Sequence, residues 1–238
     1  MKNILNIRTN NYIINMYIFT DGGCTKNGME NAKASFSVYF NDHIYTGYVL
    51  PYEYELSETY ALTINKNNYI TPSNNRGELL GIIYGLLYLS KHYTTDTKYV
   101  LYSDSLISIN TINKWYAARE RKNNTYIFKN IDLVTIMMIL YRYCKSLNID
   151  IECIHTRGHT KYMQTFTETE KIIWYGNYLV DCFNKILLSN TISNVEEVKQ
   201  LQLKLLKIRP LLSIHQVILV VGLDCDTCSA EPDTSSHS

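Results

Sequence analysis

The chain has 238 residues, a formal net charge of +1, an apolar share of 46% and a charged share of 19%. This is the size of one ordinary domain with extensions, apolar enough to bury a full core, which excludes a wholly disordered chain. No global field pulls such a chain onto nucleic acid, so binding of that kind must come from a local patch.

The longest apolar runs, Ile214–Leu223 and Ile136–Leu140, fall short of the roughly 20 residues of a membrane span, so no membrane association is expected. The N-terminal stretch MKNILNIRTNNYIIN has no long apolar core and no small-residue cleavage site, which makes it a poor signal peptide. Six cysteines lie at 24, 144, 153, 182, 225 and 228. Cys144, Cys153 and Cys182 sit in apolar segments and read as buried free thiols of a reducing compartment. Cys225-Asp226-Thr227-Cys228 is a lone CxxC, short of the roughly four ligands of a structural zinc site. These features describe an intracellular protein, cytoplasmic or nuclear and not secreted. Heavy use of Asn, Ile and Lys, with 21 Tyr, points to an A/T-rich coding sequence of viral or parasitic origin.

Residues 12–20 are β-branched and aromatic and predict a strand, followed by Asp21-Gly22-Gly23. Lys33–Phe40 and His43–Val49 predict two further strands, with Asn41-Asp42 as a turn between them. Residues 50–73, bracketed by Pro51 and Pro72, read as loop. The period then changes: Leu79, Ile82, Ile83, Leu86 and Leu89 predict a helix over Asn75–Lys91, with Ser73 and Asn74 as N-cap candidates. Lys98–Ser103 reads as a buried strand. Ser105–Ala118 reads as a helix, 119–125 as a charged break and Ile127–Leu147 as a second helix. Ile149–His155 reads as a strand, 156–174 as loop and Tyr175–Leu188 as a helix. The order β-β-β-α-β-α-α-β-α predicts an α/β fold with a five-stranded mixed sheet, three strands antiparallel and two parallel, flanked by helices. The domain is expected over 15–190, with an N-terminal extension over 1–14 and a C-terminal extension over 191–238. In that extension Val195–Ile208 is a candidate amphipathic helix, Ser213–Val221 a candidate strand and Ser229–Ser238 a polar tail. An apolar strand there must either pack on the domain or bind a protein partner.

Four acids stand where elements begin or end. Asp21 closes the first strand, Glu78 lies in the first turn of the first helix, Asp104 follows the fourth strand, and Asp181 lies early in the last helix. Each has a plainer reading alone: a turn for Asp21, helix-dipole compensation for Glu78, an N-cap for Asp104 and surface charge for Asp181. If the first and fourth strands are neighbours, the four converge. Clustered carboxylates repel one another and become favourable when cations join them. Hard oxygen ligands select Mg²⁺ or Mn²⁺, and two such ions about 4 Å apart serve in-line attack on a phosphodiester.

Thr20-Asp21-Gly22-Gly23-Cys24 with Asn27 resembles the first motif of type 1 ribonuclease H. Ser73-Asn74-Asn75-Arg76-Gly77-Glu78-Leu79 is similar to that family's Thr-Asn-Asn-Arg-x-Glu-Leu, and Tyr102-Ser103-Asp104-Ser105 resembles its third motif. Lys114-Trp115 and Lys129-Asn130-Ile131-Asp132-Leu133 resemble the segments flanking its basic handle. His155-Thr156-Arg157-Gly158-His159 is similar to its Val-x-Gly-His loop, and Gly176-Asn177-Tyr178-Leu179-Val180-Asp181 to its Gly-Asn-x-x-x-Asp. The segments occur in family order. The resemblance implies an endoribonuclease that hydrolyses the RNA strand of RNA–DNA hybrids, leaving 5′-phosphate and 3′-hydroxyl ends. Two Mg²⁺ ions, replaceable by Mn²⁺, are then held by Asp21, Glu78, Asp104 and Asp181, and His159 assists proton transfer or product release.

The resemblance also assigns substrate contacts to Gly22, Cys24, Asn27, Ser73, Asn74 and Asn75. The two Asn amides are placed to read ribose 2′-hydroxyls in the minor groove, and Ser73 lies near a phosphate of the DNA strand. Lys114–Lys122 forms the local basic patch: Trp115, Arg119, Arg121 and Lys122 are its candidate hybrid contacts. A solvated helix end with Trp115 in the core is the plainer reading. Three departures stand out. Leu106 replaces a frequent Gln, 50–70 look inserted, and the histidine loop is lengthened by residues such as Lys161–Lys171. The protein is expected to be monomeric. The rival readings are a catalytically silent hybrid-binding module and another nuclease of the same fold, resolvase- or transposase-like.

Overall fold

The computed structural model describes residues 14–40, 43–189 and 218–221. The expected turn at Asn41-Asp42, the helix over Val195–Ile208, Cys225, Cys228 and the tail Ser229–Ser238 lie outside the described residues, as do 12–13 of the first strand and 213–217 of the last.

Among the described residues eight strands and five α-helices follow in the order β1 (Ile14–Thr25), β2 (Lys33–Phe40), β3 (His43–Tyr48), β4 (Tyr52–Leu56), β5 (Leu62–Tyr69), α1 (Asn74–His92), β6 (Thr97–Ser103), α2 (Leu106–Asn110), α3 (Tyr116–Glu120), α4 (Ile131–Ser146), β7 (Asp150–His155), α5 (Glu168–Leu188) and β8 (Ile218–Val221). The main sheet has the order β7-β6-β1-β2-β3-β8. β1, β2 and β3 are antiparallel neighbours, and β6 and β7 join β1 in parallel, which is the expected five-stranded mixed sheet. β8 adds a short strand parallel to β3, so this part of the C-terminal extension packs on the domain edge.

Adjacent residues of β1 enter opposite layers, as the two-residue period of a strand requires. Ile18 joins Phe36, Val38, Leu80, Ile83, Leu86 and Met137 in the layer beneath α1 and α4. Phe19 joins Tyr39, Tyr102, Leu179, Val180 and Phe183 beneath α5. Both faces of the sheet are therefore covered, which explains the near-continuous burial of β2 and β6.

Several boundaries differ from expectation. The stretch 50–73 is a hairpin, β4–β5, rather than loop. Its Tyr54 is buried and its Tyr60 stacks on Tyr143 of α4 at 4.1 Å. The hairpin is fastened by a buried pair: Arg76 Nη1 and Nη2 donate to the two Asp132 oxygens at 3.0 and 2.7 Å. Arg76 also donates to the Tyr52 carbonyl at 2.9 Å, and the Tyr54 N–H donates to Asp132 at 3.1 Å. The helix expected from Ile127 starts at Ile131. A 3₁₀ turn over Thr125–Ile127 and left-handed Asn130 precede it. The last helix starts at Glu168 instead of Tyr175, because Thr167 and Glu170 form a reciprocal capping box. The helix expected over Ser105–Ala118 is interrupted by a π turn at Thr111–Trp115.

Cys144 and Cys153 are buried thiols and Cys24 and Cys182 are half-buried, none of the four in a disulfide. Burial pushes the Cys144 and Cys153 thiols up to about 11 and about 12, so they are inert packing groups. No described helix is long and apolar enough to cross a membrane.

Candidate active site

Asp21 does not close its strand. β1 continues to Thr25 along β2, with Asp21 opposite Ser37, whereas its parallel pairing with β6 stops at Thr20–Ser103. Gly22-Gly23 read as a turn in sequence because glycine is a turn former. Here the antiparallel partner carries the backbone straight through. The break on the β6 side places Asp21 beside Asp104, which leaves β6 as the chain turns. The N-cap of α2 is Ser105, whose hydroxyl accepts from the Ser108 N–H at 3.3 Å, so Asp104 is not used as the cap.

Glu78 lies one turn into α1, not in its first turn, because the helix begins at Asn74. Its approach to β1 depends on Gly22. A Cβ there would lie 2.2 Å from the Glu78 nitrogen, so only glycine lets the start of α1 sit against the strand. The result is a group in which one oxygen each from Asp21, Glu78 and Asp104 lie within 4.8 Å of one another. Asp21 and Glu78 are buried, at 6% and 4% exposure.

Burial first, and the neighbouring Asp104 charge second, pushes the Asp21 carboxyl up to about 7. Burial likewise holds Glu78 well above the usual carboxylate range, with Asp21 adding to the shift, and raises Asp104. Glu78 Oε2 is buried without a hydrogen-bond partner, while Oε1 accepts from the Asn74 side-chain amide at 3.4 Å. Three crowded oxygen donors, two of them buried and one with an orphaned oxygen, are what a hard divalent cation satisfies and protein donors do not.

Asp181 stands at the edge of this group rather than within it, and it lies mid-helix because α5 starts early. Its Oδ2 accepts from Lys185 Nζ at 2.6 Å and lies 3.7 Å from His159 Nδ1. His159 is exposed and has a positive φ of 51°. Gly158 beside it lies against Asp104: a Cβ there would meet Asp104 Oδ2 at 2.2 Å, so glycine is what lets the histidine loop close over that acid. The lengthened loop is tied down by Trp174, whose Nε1–H donates to the Thr160 carbonyl at 2.9 Å. Tyr162 packs edge-on against the same ring at 5.1 Å.

The candidate substrate residues gather next to the acids. Gly22 is buried against α1, and half-buried Cys24 follows on β1. Asn27 Oδ1 accepts from the Asn74 N–H at 3.2 Å, which joins the first two motifs. Ser73 is the N-cap of α1, with Oγ accepting from the Arg76 N–H at 3.4 Å, and Asn75 is exposed beside it. On the handle, Trp115 is 40% exposed rather than in the core. Arg119, Arg121 and Lys122 are exposed. The one opposing acid, Glu120, is engaged by Arg142 at 2.9 Å, so it does not neutralise the patch.

Two features near the acids escape a reading by motif. Asn184, one turn after Asp181, donates to Asp21 Oδ2 at 3.1 Å, and its spacing from Asp181 was the available signal. Asp132 was legible as part of a flanking segment, yet its bond to Arg76 spans 56 residues and leaves no local trace.

The RNase H family model matches residues 14–182. No curated protein matches. Among solved structures the chain is similar to LC9-RNase H1, a type 1 RNase H with the type 2 active-site motif, at 16% identity and a TM-score of 0.42, over 73% of this chain and 74% of that one. It is similar to the PFV RNase H domain at 16% identity and a TM-score of 0.46, over 71% and 92%. It is also similar to the foamy viral protease-reverse transcriptase in complex with RNA/DNA hybrid, at 10% identity and a TM-score of 0.44, over 69% and 19%. The match over residues 14–182 covers well over half of the chain, so the chain belongs to the RNase H family.

Proposed function

We propose that this protein is an endoribonuclease that hydrolyses the RNA strand of RNA–DNA hybrids with two Mg²⁺ ions, for which Mn²⁺ can substitute. The observation that carries this reading is the group of Asp21, Glu78 and Asp104 oxygens within 4.8 Å, with the Asn27–Asn74 junction beside it. Asp21, Glu78, Asp104 and Asp181 would hold the metal, which when bound offsets the carboxylate charge, activates water and stabilises the leaving oxygen.

The chain's own residues supply the rest. His159, on its exposed loop beside Asp181, moves a proton to or from the reacting phosphate as the product leaves. Asn74 and Asn75, with Gly22, Cys24 and Asn27, face the minor groove and accept a strand that carries 2′-hydroxyls. Ser73 orients a phosphate of the DNA strand. Trp115, Arg119, Arg121 and Lys122 fix the register of the duplex through sugar and phosphate. The catalytic unit spans 15–190, acts as a monomer and works inside the cell.

The test is a cleavage gel with a labelled hybrid, duplex RNA and duplex DNA, each with Mg²⁺ or with chelator. Hybrid-only, metal-dependent cleavage of the RNA strand supports the reading. Binding of hybrid without cleavage supports a silent binding module, and cleavage of branched or duplex DNA supports another nuclease of the same fold.

A further inference from the structure

Asn184 is 2% exposed, in the layer where α5 packs on the sheet among Phe183, Leu187 and other apolar side chains. A buried amide in such a layer is costly unless all of its polar atoms are matched. Here they are matched, and in one direction. Nδ2 donates to Asp21 Oδ2 at 3.1 Å. Oδ1 accepts from Ser35 Oγ at 2.8 Å and from Ser37 Oγ at 3.2 Å. Thr46 Oγ1 gives its one hydrogen to the Phe36 carbonyl at 2.9 Å, so the single Ser37 hydrogen is shared between Thr46 Oγ1 at 2.9 Å and Asn184 Oδ1, which leaves Ser35 as the main donor to the amide.

The bonds therefore run from Ser35 on β2 to an amide on α5 and end on Asp21. The serine hydroxyls hold the carbonyl end of the amide, which turns its N–H₂ toward Asp21 Oδ2, an oxygen that accepts. Asn184 lies three residues after Asp181, on the same face of α5, so one helix turn brings both the fourth acid and the amide to the site.

We infer that Asn184 is a positioning residue for Asp21, fixing one oxygen of that carboxylate through Ser35 and Ser37 so that the group keeps its orientation toward Glu78 and Asp104. This rests on the reading of Asp21 as a metal-holding acid. Outer partners of metal-holding side chains typically change metal affinity or activity by about 10- to 100-fold when removed, and that range is the expected effect here.

The experiment measures Mn²⁺ binding to the full chain without substrate, by the EPR signal of the free ion, together with hybrid cleavage and thermal unfolding. Asn184→Ala is expected to weaken Mn²⁺ binding by about 10- to 100-fold and to lower kcat at limiting metal, with KM for hybrid unchanged and partial recovery at high metal. Ser35→Ala keeps the amide but removes its best anchor; a smaller shift in the same direction is expected, and it serves as the test if Asn184→Ala does not fold. Folded variants whose melting temperature falls while Mn²⁺ affinity stays at the wild-type value would overturn the inference. A wild type that binds Mn²⁺ through Asp21 but leaves hybrid intact would instead defeat the functional reading, with the role of Asn184 still decided by the affinities.

Discussion

Asp132→Ala is expected to destabilise the chain more than any single change among the clustered acids Asp21, Glu78 and Asp104. Arg76 and Asp132 side chains are 0% and 4% exposed, so neither charge can turn to water when its partner is removed. The pair is bidentate, and Asp132 also accepts from the Tyr54 N–H, while Arg76 donates to the Tyr52 carbonyl. Removing the carboxylate leaves a buried guanidinium with one carbonyl partner and frees the base of the β4–β5 hairpin. Breaking a buried pair on one side costs about 3–5 kcal/mol. At about 2–4 °C per kcal/mol for a domain of this size, the melting temperature should fall by about 6–20 °C. Circular dichroism melts of wild type, Asp132→Ala and the double variant Arg76→Met/Asp132→Leu provide the assay. The double variant should recover most of the stability, since an apolar replacement of a buried pair is often neutral. A drop under about 2 °C for Asp132→Ala would refute the reasoning, because it would mean that Arg76 finds water or another acceptor at little cost.

At the site itself, His159→Ala should slow hybrid turnover by about 10- to 1000-fold without abolishing it, and an unchanged rate in single-turnover assays would remove His159 from proton transfer. Replacing Arg119, Arg121 and Lys122 with Ala should weaken hybrid binding and lower the slope of log K against log salt by about 0.9 for each phosphate that is no longer neutralised, with an unaltered slope placing these charges away from substrate. The metal-free protein should lose stability as pH rises. Folded Asp21 keeps its proton up to about 7, against an ordinary value of 3.8, so the folded state binds more protons in that window and its stability declines across it. Glu78, also raised, acts in the same sense. Melting in chelator from pH 4 to 8 should therefore show a falling curve that is shallower in Asp21→Asn, and identical slopes in the two proteins would contradict the assignment.

The clustering of Asp21, Glu78 and Asp104 was legible because each stands in a distinctive local setting: Asp21 before two glycines, Glu78 in the Asn-Asn-Arg segment, and Asp104 at a strand end. The five-stranded sheet was legible because its strands carry apolar runs bounded by polar breaks, although β1 runs on through Asp21-Gly22-Gly23 to Thr25. The β4–β5 hairpin was not, since Leu62–Tyr69 carries four polar residues in succession between Asn65 and Asn68 and only Tyr54 of β4 is fully buried. Its stability comes from Arg76 and Asp132, and so from tertiary contacts without a sequence period. The first two turns of α5 were missed for a different reason. Glu168–Trp174 shows little apolar periodicity, yet Thr167 followed by Glu170 was a readable capping box. Asp181 was identified, but its partners were not, because Lys185 and His159 reach it by helix spacing and by a loop whose path sequence does not define.

If the acids gathered around Asp21 hold the metal that drives RNA cleavage in a hybrid, the most direct test is cleavage by Asp104→Asn beside wild type over a Mg²⁺ titration. The substitution is isosteric and removes one of three repelling charges, so the variant should fold and melt no lower than wild type in chelator. It should bind hybrid with wild-type affinity and leave the RNA strand uncut at every Mg²⁺ concentration. Cleavage near the wild-type rate by a folded Asp104→Asn would contradict the account.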